Sequence, residues 1–276
     1  MEVLLADVYG FCFGVRRAIE LAEAAQREGR AVSTLGPLVH NSQETTRLDA
    51  AGIHPAERLE EIAGDTVVIR AHGAHPETLE ALKERALNTV DATCPFVAKS
   101  QRIAREFAEA GLTLVVVGHP GHPEVQGILG YFSGPSYIIT EPHEVDDLPA
   151  GITPGVIAQT TVNERTFRAV VARLTARYPS CVVENTVCLA TRDRQEAARE
   201  LAADVDAVYV IGGRHSSNTN RLMEICRQSC PKTFLIETAD EINPADLQGI
   251  RRVGVTAGAS TPDWLIKQVV ERLRAL

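Results

Sequence analysis

Apolar residues come in short runs, mostly of Val, Ile, Leu and Ala. Each run is followed by a polar or glycine-containing stretch, then by a longer segment whose apolar positions recur every three to four residues. The short runs predict fully buried parallel strands and the longer segments predict amphipathic helices. Repeated along 276 residues, the alternation predicts an α/β chain with enough length for two or three compact units. Aromatic residues make up only 5%, which suits Ala-rich helices laid on β-branched strands and argues against an all-β fold.

The strand ends fall into three kinds. In the first, the strand runs into a cysteine at a helix start: Leu4-Leu5-Ala6 leads to Cys12, Thr89-Val90-Asp91 to Cys94, and Val182-Val183-Glu184 to Cys188. In the second, a hydrogen-bonding residue follows the strand, and Pro or Asn with an acid opens a helix: Val67-Val68-Ile69 to His72, Val156-Ile157-Ala158 to Thr160, and Val253-Gly254-Val255 to Ser260. In the third, the loop contains glycine: Ser33-Thr34-Leu35 to His40-Asn41, Val115-Val116-Val117 to His122 and Glu124, and Val208-Tyr209-Val210 to Ser216-Ser217-Asn218. Taken in order, these predict α/β units over residues 14–95, 96–188 and 189–276, with the strand in residues 1–13 closing the third unit, which lacks a cysteine strand of its own. Ligands of parallel sheets sit beyond the carboxyl ends of the strands, so all nine loops are expected at one cavity.

The helices after the cysteines carry apolar stripes expected in the core: Val15, Ala18, Ile19, Ala22 and Ala25 after Cys12, and Phe96, Ile103, Phe107 and Ala110 after Cys94. Pro95 suits a first helical turn, where its missing N–H is no loss.

The formal charge is 28 − 36 = −8, and no basic run interleaves with aromatics, so no nucleic-acid partner is expected. Asp7 and Gly10 interrupt the first apolar stretch, and no segment approaches the ~20 apolar residues of a membrane span. A cytoplasmic protein without a membrane partner is expected. Six cysteines in a chain of this kind read as free thiols or metal ligands and not as a disulfide framework. Cys226 and Cys230, four apart on a helix predicted over residues 221–229, read as small buried hydrophobes, and so does Cys181 at a strand start. No Gly-x-Gly-x-x-Gly or Gly-Lys-Ser/Thr loop opens a helix, so no nucleotide is expected.

A helix start lowers a cysteine's pKa, so Cys12, Cys94 and Cys188 are candidates to offer three thiolates to one metal centre. Around them the loops collect His40, Asn41, His72, His122, Glu124, Thr160, Ser216, Ser217, Asn218 and Ser260. These are mostly neutral donors and imidazoles near helix starts, a phosphate cradle without lysine. Singly, Ser216-Ser217-Asn218 is an N-cap cluster and Glu124 a helix-start acid after Pro123; jointly, Glu124 is a candidate proton donor. His54, His75, His119, His143 and His215 are expected to be surface or structural residues. On the residues alone, an iron–sulfur redox sensor or electron carrier without turnover stands as an alternative to an enzyme, and a zinc-bearing binding protein as a third reading.

The blocks Gly10-Phe11-Cys12-Phe13-Gly14-Val15, Val39-His40-Asn41, Ala71-His72-Gly73, Asp91-Ala92-Thr93-Cys94-Pro95, Gly121-His122-Pro123-Glu124-Val125, Gln159-Thr160-Thr161, Ser216-Ser217-Asn218 and Thr256-Ala257-Gly258-Ala259-Ser260 occur in one order along the chain. Together they resemble the 4-hydroxy-3-methylbut-2-enyl diphosphate reductases of the non-mevalonate isoprenoid pathway. The resemblance implies three pseudo-threefold-related α/β units with small, mainly parallel sheets around a central [4Fe–4S] cluster. It implies one cluster per chain, with Cys12, Cys94 and Cys188 as ligands and one open iron. It further implies a diphosphate held by His40, His72, His122, Thr160, Ser216, Ser217, Asn218 and Ser260, with Glu124 delivering protons and Thr160 placing it. The implied reaction is a two-electron reductive dehydroxylation to isopentenyl and dimethylallyl diphosphate, with a ferredoxin or flavodoxin as electron donor.

Overall fold

The computed structural model describes residues 1–276 and contains twelve strands and nine α-helices. The strands form three four-stranded sheets. In the first, β1 (Glu2–Leu5), β12 (Arg252–Ala257), β10 (Ala207–Ile211) and β11 (Thr233–Ile236) lie side by side in that order, all pairs parallel. In the second the order is β5 (Asn88–Asp91), β4 (Thr66–Ile69), β2 (Val32–Leu35) and β3 (Ile53–Ala56), with β5, β4 and β2 parallel. In the third it is β9 (Val182–Val183), β8 (Pro154–Ala158), β6 (Thr113–Val117) and β7 (Ser136–Ile139), again parallel. Read from this edge, the sheets correspond position by position. The cysteine strands are at the edge, the strands before Ser260, His72 and Thr160 come second, and those before Ser216, His40 and His122 come third.

Burial follows from that order. The inner strands β4, β6, β8 and β10 are buried at every residue, whereas the edge strands β5 and β9 are exposed or half-buried throughout. Both faces of the first sheet are covered. Tyr209, Ile211, Val253 and Val255 pack on Leu265, Ile266, Val269 and Leu273 of α9 (Asp263–Arg274). Val208 and Val210 pack on Ala198 and Ala202 of α7 (Leu189–Ala203) and Leu222 and Cys226 of α8 (Ser217–Ser229). The third sheet buries Val115, Val117 and Val156 against Phe167, Val170 and Leu174 of α6 (Glu164–Arg177). Its other face buries Leu114, Val116 and Ile157 against Ile103, Ala104 and Phe107 of α4 (Pro95–Glu109) and Val125 and Ile128 of α5 (Pro123–Gly130). In the second sheet, Val67 and Ile69 pack on Leu82 of α3 (Pro76–Glu84).

The remaining helices are α1 (Phe13–Arg27), which buries Ala18, Ile19, Ala22 and Ala25 of its expected stripe and leaves Val15 half-buried in its first turn, and α2 (Ser42–Ala50). The stripe expected on α4 needs correction: Phe96 is 41% exposed and Ala110 is exposed too. The buried face instead runs through Val97, Ser100, Gln101, Ile103, Ala104 and Phe107. Phe96 lies about 100° around the helix from Val97, and Ala110 falls at the C-cap. The helix expected over residues 221–229 begins earlier, at Ser217, where Ser216 caps it.

The chain forms two compact units, one from Met1–Ile19, Pro37–Pro55 and Leu189–Leu276, the other from Glu20–Gly36 and Ala56–Cys188. No helix is long and apolar enough to cross a membrane.

Candidate functional site

Each of the three edge-strand cysteines directly precedes a helix: Cys12 precedes α1, Cys94 is the N-cap of α4, and Cys188 precedes α7. Each is pinned through its main chain to the loop of the neighbouring strand. Cys12 N–H donates to the Ala259 carbonyl at 3.1 Å, Cys94 N–H to that of Ala71 at 3.0 Å, and Cys188 N–H to that of Thr160 at 3.0 Å. One local geometry is therefore repeated three times, with each cysteine beside Ser260, His72 or Thr160. No cysteine is in a disulfide, and these three are partly accessible.

The other cysteines are different in kind. Cys226 and Cys230 are buried, their thiols donating to the carbonyls of Ala198 (3.6 Å) and Lys232 (3.8 Å). Burial pushes the Cys226 thiol up to about 12 and raises those of Cys230 and Cys181. These three are held in the thiol form, which makes them poor metal ligands.

The second compact unit holds His72, His122, Glu124 and Thr160 with two of those cysteines. His122 is the N-cap of α5, and its Nδ1 accepts the Glu124 N–H at 3.2 Å. A main-chain N–H can only donate, so the proton of the neutral ring is on Nε2. The His72 and His122 rings meet edge to face with centroids 5.6 Å apart. Glu124 is 1% exposed, and its two carboxylate oxygens accept from Thr160, one from N–H at 2.6 Å and the other from Oγ1 at 2.8 Å. Burial raises its pKa to about 7 against the opposing pull of both Thr160 bonds. A carboxyl poised there can release and regain a proton at neutral pH.

The first compact unit holds His40, Ser216, Ser217, Asn218 and Ser260 with Cys12. Ser260 Oγ donates to the His40 carbonyl at 3.2 Å, and a Cβ on Gly213 would lie only 2.5 Å from that same oxygen, so the loop before α8 and the His40 loop touch through bare backbone. Ser216 caps α8 by accepting the Thr219 N–H at 3.3 Å. Asn218 is 5% exposed, yet neither its Nδ2 nor its Oδ1 has a partner in the protein. Leaving such groups unsatisfied costs about 1–3 kcal/mol, which is the mark of a side chain waiting for a polar ligand. Asn41 caps α2, its Oδ1 accepting the Glu44 N–H at 2.9 Å, while its buried Nδ2 has no partner in the protein.

Several further residues, inside and outside the motif blocks, shape these loops. Gln159, fully buried, accepts the His119 N–H at 3.0 Å and donates to Thr161 Oγ1 at 2.8 Å, tying the loop after β6 to that after β8. Arg194, 2% exposed on α7, donates to the Gly10 carbonyl at 2.8 Å, just before Cys12. Gly73 has φ +75°, and a Cβ there would lie 2.4 Å from Gln101 Nε2, so the His72 loop rests on α4. Glu44, buried on α2, accepts from Trp264 Nε1 of α9 at 3.1 Å. Gln159 and Gly73 stand in the motif blocks beside Thr160 and His72, whereas the only sequence signal for Arg194 and Glu44 is a polar residue on a helix. Of the histidines without an expected site role, His54 pairs with Asp49 at 2.6 Å and His75 caps α3.

The chain is 46% identical over 275 residues to a 4-hydroxy-3-methylbut-2-enyl diphosphate reductase of Geobacter sulfurreducens, covering 99% of this chain and 97% of that one. It is 41% identical to the reductase of Aquifex aeolicus, covering 100% and 97%. A solved structure of (E)-4-hydroxy-3-methyl-but-2-enyl diphosphate reductase, described as the terminal enzyme of the non-mevalonate pathway, covers both chains fully at 42% identity with a TM-score of 0.75. The structure of the reductase from Plasmodium falciparum matches 98% of this chain and 87% of its own at 26% identity, with a TM-score of 0.92. A family described as LytB protein matches residues 3–274, and with relatives this similar along the full length, the chain belongs to that family.

Proposed function

We propose that the chain is a 4-hydroxy-3-methylbut-2-enyl diphosphate reductase in which Cys12, Cys94 and Cys188 hold a [4Fe–4S] cluster with one iron left open, and Glu124 supplies protons to the departing hydroxyl. Per turnover, the substrate takes up two electrons and two protons, the C4–O bond breaks, and water leaves. Isopentenyl or dimethylallyl diphosphate remains, according to which allylic carbon takes the second proton. When bound, the cluster supplies one-electron redox chemistry and a Lewis-acid position. Its electrons come from a ferredoxin or flavodoxin, in the cytoplasm.

The chain's own residues do the rest. His40, His72, His122, Ser216, Ser217, Asn218 and Ser260 hold the diphosphate, a dianion or trianion that suits donors at helix starts. Thr160 orients the Glu124 carboxyl through both of its oxygens, so the acid meets the leaving oxygen in one geometry. The observation that carries the reading is Glu124 itself, fully buried, its carboxyl held by Thr160 and poised near neutrality. A sensor or simple carrier has no use for such an acid, nor for the unsatisfied Asn218.

The test is anaerobic conversion of 4-hydroxy-3-methylbut-2-enyl diphosphate with a chemically reduced one-electron donor, following both isoprenyl diphosphates. Both products are expected; a loaded cluster that binds the substrate without turning it over would leave the sensor reading. A finer prediction concerns Asn218. Losing its hydrogen bonds to a charged ligand costs about 1.5–3 kcal/mol, so Asn218→Ala should raise KM by about tenfold or more with little change in kcat. The same change removes two unsatisfied buried atoms, so the Tm of the substrate-free protein should hold or rise. An unchanged KM would remove Asn218 from the site.

A further inference from the structure

The helices that follow the three cysteines begin unlike most others. Asp or Glu in a first turn complements the positive helix end, and α2, α3, α5, α6 and α9 carry Glu44, Glu77, Glu124, Glu164 and Asp263 there. In α1, α4 and α7 the first turn has no acid. Each instead carries, at its first or second residue, a large apolar side chain turned to solvent, Phe13 (62% exposed), Phe96 (41%) and Leu189 (53%), and each places a cation three residues later, at Arg16, Lys99 and Arg192. These apolar side chains are left facing solvent, each with a cation about one turn on. They are the composition of an interaction surface.

The charge is least compensated on α4. Arg16 pairs with Asp263 at 3.5 Å and Arg192 lies 3.6 Å from Asp193, whereas Lys99 makes no ion pair. Along the exposed face of α4 follow Arg102, paired with Glu106, and Arg105, whose guanidinium lies 5.3 Å from the centre of the Tyr131 ring. No acid occurs on α4 before Glu106. A cationic strip on a chain of net charge −8 is a local reversal of sign, and its first cation, Lys99, stands five residues beyond Cys94, within the first turn and a half of the helix that this cysteine caps.

We propose that the exposed face of the first three turns of α4, formed by Lys99, Arg102 and Arg105 with Phe96 beside Lys99 at its N-terminal rim, is the docking surface for a small acidic one-electron carrier protein. The inference rests on the reading that Cys94 is a cluster ligand. A carrier seated over Phe96 lies within about one helical turn, ~5 Å, of that ligand. The cations steer an acidic partner and hold it in register, while Phe96 provides a small apolar contact, as a transient electron-transfer encounter requires.

The test uses the cluster-loaded protein and a recombinant acidic plant-type [2Fe–2S] ferredoxin, with binding measured calorimetrically over a salt series and turnover measured separately with reduced methyl viologen. Lys99→Glu/Arg102→Glu should weaken ferredoxin binding by about tenfold or more at low salt and flatten its salt dependence, with viologen-driven turnover unchanged. Phe96→Ser should weaken binding without altering the salt slope. Ferredoxin binding that is the same in the charge-reversed and parent proteins overturns the proposal, and so does an equal loss of viologen-driven turnover, which would place these residues in the chain's own chemistry. A parent protein that binds ferredoxin through this face but never turns over with viologen would keep the docking surface and fail the reductase reading.

Discussion

Glu124→Gln lowers turnover by about 10²–10⁴, the usual worth of a positioned general acid, while the iron content and the substrate affinity stay as they were. The substitution isolates the proton because it preserves the packing. The amide oxygen of Gln still accepts the Thr160 N–H, and its NH₂ can donate to Thr160 Oγ1, whose hydroxyl turns to accept. The pH profile carries the same information. The folded-state pKa of Glu124 is raised, so the acid form persists up to about 7, and kcat/KM, which reports the free enzyme, should fall as pH rises through that value. In the Gln variant that limb should vanish, which assigns it to Glu124 and not to the substrate phosphate. Stability follows the same sign. A carboxyl whose pKa rises on folding contributes fully below its unfolded value of 4.5 and loses that contribution as pH climbs through about 7. The wild-type chain should therefore lose on the order of 3 kcal/mol between those limits, and the Gln variant should not. Near-normal turnover by Glu124→Gln would end the assignment.

A motif alone could not have singled out Glu124. His75-Pro76-Glu77 repeats His122-Pro123-Glu124, and both copies fold alike, with a histidine N-cap, proline in the first turn, and the histidine Nδ1 accepting the glutamate N–H. Yet the Glu77 side chain is 91% exposed and Glu124 is buried under Thr160, a residue 36 positions away. Local chemistry writes the cap, and only tertiary packing decides which acid is desolvated. The same division runs through the fold. The three kinds of strand end, and with them the α/β class and its small parallel sheets, were legible because buried strands are continuous apolar runs and their loops repeat in kind. The fourth strand of each sheet, β3, β7 or β11, left less trace. These strands are short, lie at a sheet edge, and lead to none of the candidate site residues, and Ile53-His54-Pro55-Ala56 does not look like a strand at all. The bracing roles of Gln159, Gln101 and Arg194 could not be read for a related reason: their partners, at His119, Gly73 and Gly10, are set by the fold and not by spacing.

Cys94→Ser abolishes turnover, and iron and acid-labile sulfide fall towards background. A serine hydroxyl does not ionise near neutral pH and is a harder, poorer ligand for iron than thiolate, so the substitution removes one of the three proposed protein ligands. The effect would be ambiguous if the cysteine also held the fold together, but its position argues otherwise. Cys94 is an N-cap, serine is among the residues preferred there, and the pinning bond to Ala71 comes from the main chain and survives any side chain but proline. The metal-free Cys94→Ser protein should therefore match the metal-free parent in helix content and Tm, while the loaded parent alone gains stability from its cluster. Cys226→Ala is the converse control. Its thiol is buried among Ala198, Ala202 and Leu222 and is held protonated, so removing it should cost about 1–2 kcal/mol of stability through lost packing and leave iron content and turnover intact. One substitution thus removes the metal and spares the fold, and the other weakens the fold and spares the metal. A fully loaded, active Cys94→Ser protein would break the ligand assignment. An iron-free Cys226→Ala protein would mean that a buried thiol, and not the three at the helix starts, belongs to the centre.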